Sequence, residues 1–140
     1  RVLLAGLPDA ELERYLRTVK LIKKTSKTNT DVTKLRDEIE ATRKRGYSIA
    51  HEETQLGMSS IAVPIVNPQD ECIASISLSA LTDRMMVPAF RSEVLKCLRD
   101  ASGTISRRLY CGFDPAARET GSGDIAASRH RGTGLAANRA

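Results

Sequence analysis

Aromatic side chains are scarce in this sequence of 140 residues, which contains no tryptophan, three tyrosines and two phenylalanines. A surface that stacks several nucleic-acid bases on aromatic rings is therefore not expected. Hydrophobic residues still make up 41% of the chain, so a core is possible and must be built from Leu, Ile, Val and Ala. The length fits one domain of ordinary size.

Metal-binding and membrane-spanning patterns are also missing. The three cysteines, Cys72, Cys97 and Cys111, form no C-x-x-C pair, and the two histidines, His51 and His130, lie far apart. A tetrahedral zinc site cannot be assembled from them, so we predict no metal, no cofactor and reduced thiols. No apolar run approaches the roughly 20 residues of a membrane span, and no signal peptide is readable. These absences predict a cytoplasmic protein without membrane contact.

Basic residues outnumber acidic ones by 22 to 17, which gives a formal net charge of +5. The excess is concentrated in one stretch without acids, comprising Arg17, Lys20, Lys23, Lys24 and Lys27. A solvated loop is the simplest interpretation of such a stretch. Contact with phosphate or another anion is the alternative.

Hydrophobic periodicity predicts helices and strands in a mixed order. Leu12, Leu16 and Val19 share one helical face, Asp31 can cap the next helix, and Gly46 can end it. Alternation then predicts three short strands, the last two joined as a hairpin, before a long amphipathic helix. The predicted helices cover 7–19, 31–46 and 89–110, the strands 47–51, 60–66 and 72–79, and a connector without regular structure covers 81–88. The result is an α+β fold with an antiparallel sheet flanked by helices.

The two ends of the chain differ in character from its middle. The segment 112–140 holds five of the nine glycines and only three large apolar residues, so we predict a domain over 1–111 and a disordered Gly/Ala-rich tail over 112–140. The chain begins without methionine inside an apolar run, RVLLA. We therefore expect a fragment of something longer, incomplete at the N-terminus.

The strand 72–79 contains the residues that most clearly suggest a binding site. In alternation, Cys72, Ala74, Ile76 and Leu78 face the core, and the serines among 73–79 share the other face. With Ser60 on the neighbouring strand, these hydroxyls can surround a dry hollow, and hydroxyls donate well to a carboxylate. Main-chain amides of the turn at Gly57 can add further donors. An ordinary sheet with a polar outer face is the alternative.

Residue patterns that would indicate catalysis are weaker than this serine pattern. Glu52 and Glu53 are adjacent, so in a strand they point to opposite faces, and a solvated turn is favoured over acid–base work. A serine with His51 and an aspartate could be imagined as a triad, but no G-x-S-x-G elbow is present. A small hydrolase is therefore the third choice, after a ligand-binding module and an interaction module.

The run RGYSIAHEETQLGMSSIAVPI at 45–65 resembles the signature of the IclR family of bacterial transcriptional regulators. IASISLS at 73–79 is similar to the strand that follows in that family, and RVLLA and LERYL are similar to the helices ahead of it. The resemblance covers roughly residues 1–110. The segment from Thr30 onward and the phrase SIAVP at 60–64 look closest to the branch that controls β-ketoadipate and hydroxybenzoate catabolism.

This resemblance implies a ligand sensor and not an enzyme: the effector-binding domain, with a GAF-like fold, of a dimeric or tetrameric regulator. DNA contact would come only through a winged helix-turn-helix that precedes Arg1 and is missing here. The effector would be a small organic acid, either an aromatic acid or one like β-ketoadipate. The rival is an oligomerisation or interaction module with a vestigial pocket.

The resemblance also locates a candidate site. Together with Gly57 of the turn, the candidate effector-binding residues are therefore Ala50, Met58, Ser59, Ser60, Ser77 and Ser79. Two of them depart from the family pattern: Ala50 stands at an acidic position and Ser59 where many members have arginine. Ala50 cannot accept a hydrogen bond through its side chain.

Overall fold

The computed structural model describes residues 1–110; the predicted tail at 112–140, Cys111 and His130 lie outside them. The chain forms five helices and three strands within this range: α1 (Val2–Ala5), α2 (Asp9–Thr18), α3 (Val32–Arg45), β1 (Ser48–His51), β2 (Met58–Val66), β3 (Cys72–Leu81), α4 (Thr82–Met86) and α5 (Pro88–Tyr110). The strands form one antiparallel sheet in the order β1-β2-β3. The predicted α+β class is confirmed. None of these helices is long and apolar enough to cross a membrane.

Local signals explain where α3 begins and ends. The Asp31 carboxylate accepts hydrogen bonds from the amides of Thr33 and Lys34 at 2.8 and 3.2 Å, which satisfies two otherwise unpaired donors of the first turn. Gly46 ends the helix in the left-handed conformation, with φ of 76°. Both features agree with the prediction from sequence.

Pro64 is accommodated near an open edge of the central strand. The pairing of β1 with β2 stops at Ala62, opposite Ser48, so Pro64 lies beyond the reach of β1. The missing N–H therefore removes no bond to that strand. The Pro64 carbonyl accepts a hydrogen bond from the Ser102 hydroxyl of α5 at 2.6 Å.

Apolar side chains gather in two clusters rather than one. The sheet–α5 cluster joins the sheet to α4 and α5 and contains Ile61, Val63, Met85, Val94 and Leu98. The helical cluster joins α2 to α3 and contains Leu12, Leu16, Leu35 and Ile39. The chain's core is therefore divided between one face of the sheet and the helical pair that precedes it.

Two expectations about β3 are corrected. The connector predicted at 81–88 extends β3 to Leu81 and then forms α4, whose Met85 is fully buried. The pairing passes from Ile65 with Ala74 directly to Val66 with Cys72, which leaves one extra residue in β3. Cys72 therefore does not share the core face of Ala74 but lies beside Gly6 at the end of α1, since a bulge shifts the alternation.

Candidate functional site

A hollow of about 230 Å³ lies at the end of the sheet where β1 turns into β2. We call it the serine hollow. Its lining combines all three strands with the β1–β2 turn (residues 52–57) and consists of Ala50, Glu53, Thr54, Gln55, Met58, Ser59, Ser60 and Ser79. Five of the seven predicted site residues line it.

The register of the sheet brings the central residues together. Ala50 on β1 lies opposite Ser60 on β2, and Ser60 lies opposite Ser79 on β3. Because directly opposed residues in an antiparallel sheet share a face, the two hydroxyls and the Ala50 methyl group form one row across the strands. This row is the floor of the serine hollow.

Ser59 contributes to the wall in a different way. Its side chain is 2% exposed and lies on the opposite face from Ser60, since successive residues alternate. The Ser59 hydroxyl is 3.1 Å from His51 Nδ1 and 2.9 Å from Thr82 Oγ1. It therefore ties β1, β2 and the start of α4 together. The Ser59–His51 contact exists, but the serine is buried in a structural network and is not presented to a substrate.

The main-chain amides predicted for ligand binding are used inside the β1–β2 turn. The Gly57 amide donates to Glu52 Oε1 at 2.9 Å, and the Met58 amide donates to the Gln55 carbonyl at 3.3 Å. Gly57 has φ of 78°, as a tight turn requires. It does not line the serine hollow, so its place in the structure is to close the turn through Glu52.

Ser77 also lies outside the lining, because it is paired with Ala62, one step further along the same face. Ser77 and Ser79 are both exposed. The serine hollow is therefore open along β3, and the expectation of a dry, enclosed site is corrected. A strand pattern shows which residues share a face, but it does not show what covers that face.

The rim of the serine hollow carries an acidic residue that sequence reasoning assigned to a solvated turn. Glu53 Oε1 lies 2.5 Å from a guanidinium nitrogen of Arg1, and the same guanidinium lies 2.5 Å from Glu38. The Arg1 side chain is only 12% exposed. The guanidinium is shared by the two carboxylates, so it offsets part of the negative charge beside the hollow.

Polar groups of the turn complete the hollow. Thr54 and Gln55 line it, and neither was a predicted site residue. Their position depends on how the turn folds back on β2. The one sequence signal for that path is that both residues lie between the acidic pair and Gly57. In the described range, no group of three His, Cys, Asp or Glu side chains comes together to hold a metal ion.

The fold is that of the effector domain of a bacterial transcriptional regulator. Residues 1–107 match the family described as bacterial transcriptional regulator IclR C-terminal, so the chain belongs to the IclR family. The resemblance seen in the sequence is confirmed. Curated relatives are named as transcriptional regulators and not as enzymes.

A curated relative and two solved structures define the similarity. The Pca regulon regulatory protein of Pseudomonas putida is 30% identical over 110 residues, which are 79% of this chain and 38% of that protein. The structure of IclR from Thermotoga maritima has a TM-score of 0.71 at 33% identity and covers 77% of this chain and 43% of that one. This chain therefore spans about two fifths of the length of such relatives.

The second structure contains a ligand. It is a double mutant of the inducer-binding domain of the PobR transcription factor from Acinetobacter, in complex with 3-hydroxybenzoic acid. Its TM-score is 0.68 at 28% identity, and the match covers 75% of this chain and 60% of that one. A relative of this fold thus binds a small aromatic acid.

Proposed function

We propose that residues 1–111 form an effector-binding domain that holds a small organic acid in the serine hollow. The observation that carries this proposal is the opposition of Ser60 and Ser79 beside Ala50. Two neighbouring hydroxyls can donate to one carboxylate, and a charge-assisted hydrogen bond of this kind is stronger than a neutral one. Pairing of Glu53 with Arg1 reduces the repulsion that the acid would otherwise meet.

The size of the hollow supports a small effector. Sites for drug-sized ligands are about 300–1,000 Å³, whereas the serine hollow is about 230 Å³. Ala50 supplies no hydrogen bond, so a hydroxyl or keto group on the acid would be oriented by Thr54 and Gln55 instead. An aromatic acid or one like β-ketoadipate meets both requirements.

The regulatory step follows from differential binding. In the proposed cytoplasmic dimer or tetramer, the acid favours one arrangement of paired domains, and the N-terminal winged helix-turn-helix heads follow that arrangement on DNA. Equal affinity for both arrangements would shift nothing. The alternative is an interaction module that dimerises without sensing, which the openness of the hollow along β3 favours.

The direct test is calorimetric titration of the intact protein with 4-hydroxybenzoate, 3-hydroxybenzoate, protocatechuate, β-ketoadipate, pyruvate and glyoxylate. We expect at least one acid to bind, Ser60→Ala or Ser79→Ala to weaken it about tenfold, and Ser77→Ala to change it little. Ser77 is the matched control, since it shares the face but not the lining. Binding of no acid by a folded dimer would select the interaction module.

A further inference from the structure

A second segment, distant in sequence, holds the β1–β2 turn in place. The α2–α3 loop (residues 19–31) has no regular structure, yet it lies against the turn. The Thr25 hydroxyl donates to the Glu52 carbonyl at 2.7 Å, and the Thr28 hydroxyl donates to the Glu53 carbonyl at 2.6 Å. Two consecutive carbonyls of the turn are therefore bound by two side chains of one loop.

The hydroxyl of Thr28 is itself fixed by its own loop. It accepts hydrogen bonds from the amides of Lys24 and Thr25 at 3.0 and 2.8 Å. A hydroxyl has one proton to donate and two lone pairs that accept, so the Thr28 hydroxyl is fully used once it also donates to Glu53. Because the Glu53 carbonyl can only accept, the hydroxyl is the donor, and the loop presents it to the turn already oriented by the two amides.

The turn needs such support. Glu52 has φ of 53°, a left-handed conformation that is uncommon for a residue other than glycine. The residues after it, Glu53 and Thr54, line the serine hollow on one side and a neighbouring hollow of about 260 Å³ under the α2–α3 loop on the other. The turn is thus a wall one chain thick between the loop and the proposed effector site.

We infer that Thr25 and Thr28 are positioning residues of the effector site. Neither threonine lines the serine hollow, but both bind the main chain at 52–53, directly before Thr54 and Gln55, which line the hollow together with Ser60 and Ser79. Preformed geometry of this kind raises affinity because the ordering cost is met before the ligand arrives. The inference rests on the proposed function for its effect on affinity, but not for its effect on the turn.

The test uses the intact protein with Thr25→Val and Thr28→Val combined, which keeps the side-chain shape and removes both donors. Hydrogen exchange without ligand reports on the turn through the amides of Glu52, Gly57 and Met58, which the turn's own hydrogen bonds protect. We expect their exchange to speed up about tenfold while the amides of β2 beyond Ile61 keep their rates. Thr25→Ser with Thr28→Ser retains both donors and should restore slow exchange.

The matched control is Thr104→Val, which removes a hydroxyl that donates to the Asp100 carbonyl within α5 at 2.9 Å, far along the chain from the turn. It should change neither the exchange of the turn nor the binding of 3-hydroxybenzoate, whereas the double variant should weaken that binding about tenfold. Unchanged exchange at the turn, or equal acceleration throughout β2, would overturn the positioning role. Failure of the unaltered protein to bind any acid would overturn the proposed function alone. If the double variant does not fold, Thr25→Val alone gives the same exchange comparison.

Discussion

Gly6 approaches β3 so closely that a Cβ placed on it would lie 2.4 Å from the Cβ of Cys72. Its φ is −81°, which any residue can adopt, so the requirement for glycine comes from the contact and not from the backbone. We expect Gly6→Ala to lower the free energy of unfolding by about 1–3 kcal/mol, as overpacking does in other cores. Urea denaturation measures this loss.

Gly103 provides the comparison for Gly6. It lies inside α5, and the nearest atom to a Cβ placed there is the end of Arg107 at 3.5 Å. Gly103→Ala should therefore stabilise the protein by about 0.5–1 kcal/mol, because alanine loses less backbone entropy in a helix. Equal effects of the two substitutions would contradict the close contact at Cys72.

Two thiols should differ in reactivity. Burial raises the pKa of the Cys72 thiol, and a hydrogen bond with the Ala74 backbone only partly opposes this. At about pH 8 the reactive thiolate of Cys72 is therefore scarce, so iodoacetamide should modify the exposed Cys97 first. The rate at Cys72 should rise as the pH is raised further.

Peptide mass spectrometry measures both rates, with Cys111 replaced by serine so that only two thiols remain. The control is the same reaction in urea, where the environments are lost and the two rates should converge. Faster labelling of Cys72 than of Cys97 in the folded protein would show that Cys72 is not shielded as described.

At the scale of elements, an ion pair between α2 and α3 gives stability a pH dependence. A hydrogen bond from the Arg36 guanidinium lowers the pKa of Glu13, and one of these contacts measures 2.9 Å. A lowered pKa in the folded state contributes stability above the unfolded-state pKa, and this contribution is lost as the pH falls through the folded-state value. Both side chains are exposed, so the effect should be small.

The comparison is between the unaltered protein and Glu13→Gln in urea denaturation. We expect the variant to have the lower midpoint at about pH 7, and the difference to shrink as the pH falls through the lowered folded-state pKa of Glu13, where the unaltered protein takes up its proton. Added salt at neutral pH should also shrink it. A difference that grows in acid would contradict the assigned sign.

Elements with local signals were predictable from the sequence, and those set by distant contacts were not. Asp31 and Gly46 act on their own helix, so α3 was predicted with both of its ends. α4 depends instead on Met85 filling the sheet–α5 cluster and on the Thr82 amide donating to the Gly57 carbonyl at 2.8 Å. Neither contact leaves a periodic pattern in so short a segment.

The candidate site likewise contains residues that the sequence could predict and residues whose positions depend on distant contacts. Ala50, Ser60 and Ser79 could be grouped because strand alternation and antiparallel pairing are regular, and the family resemblance fixed their positions. Thr54 and Gln55 belong to an irregular turn whose path depends on Glu52 and on the α2–α3 loop. Hydrogen bonds between residues about 25 positions apart could not be derived from one sequence without coordinates.

At the scale of the whole molecule, the helical side is joined to the sheet by the close contact of Gly6 with Cys72 and by polar contacts. The Arg43 guanidinium of α3 donates to the carbonyls of Ala5 and Leu7 at 2.9 and 2.6 Å, which fixes the segment between α1 and α2. The contacts of Arg1 and of the two loop threonines join the helical side to the β1–β2 turn. The serine hollow therefore lies where the helical and sheet parts of the domain meet.

This division predicts that stability is not uniform. Ile39 of the helical cluster and Ile61 of the sheet–α5 cluster are both fully buried, so alanine at either position should lower the free energy of unfolding by about 2–5 kcal/mol. With Ile39→Ala, native-state hydrogen exchange should accelerate most in α2 and α3 and next in the β1–β2 turn. The amides of β2 opposite α5 should change least.

Ile61→Ala is the matched control, because it removes the same atoms from the other cluster. It should accelerate amide exchange in β2 and α5 more than in α2 and α3. Exchange measured by NMR distinguishes the two orders residue by residue. Identical patterns for both variants would mean that the domain opens as one unit. In that case the β1–β2 turn would depend on the whole fold, because Ile39→Ala would accelerate amide exchange in the turn no more than in the strands. An early response of the turn to Ile39→Ala instead requires that the helical side of the domain holds the rim of the serine hollow through the α2–α3 loop.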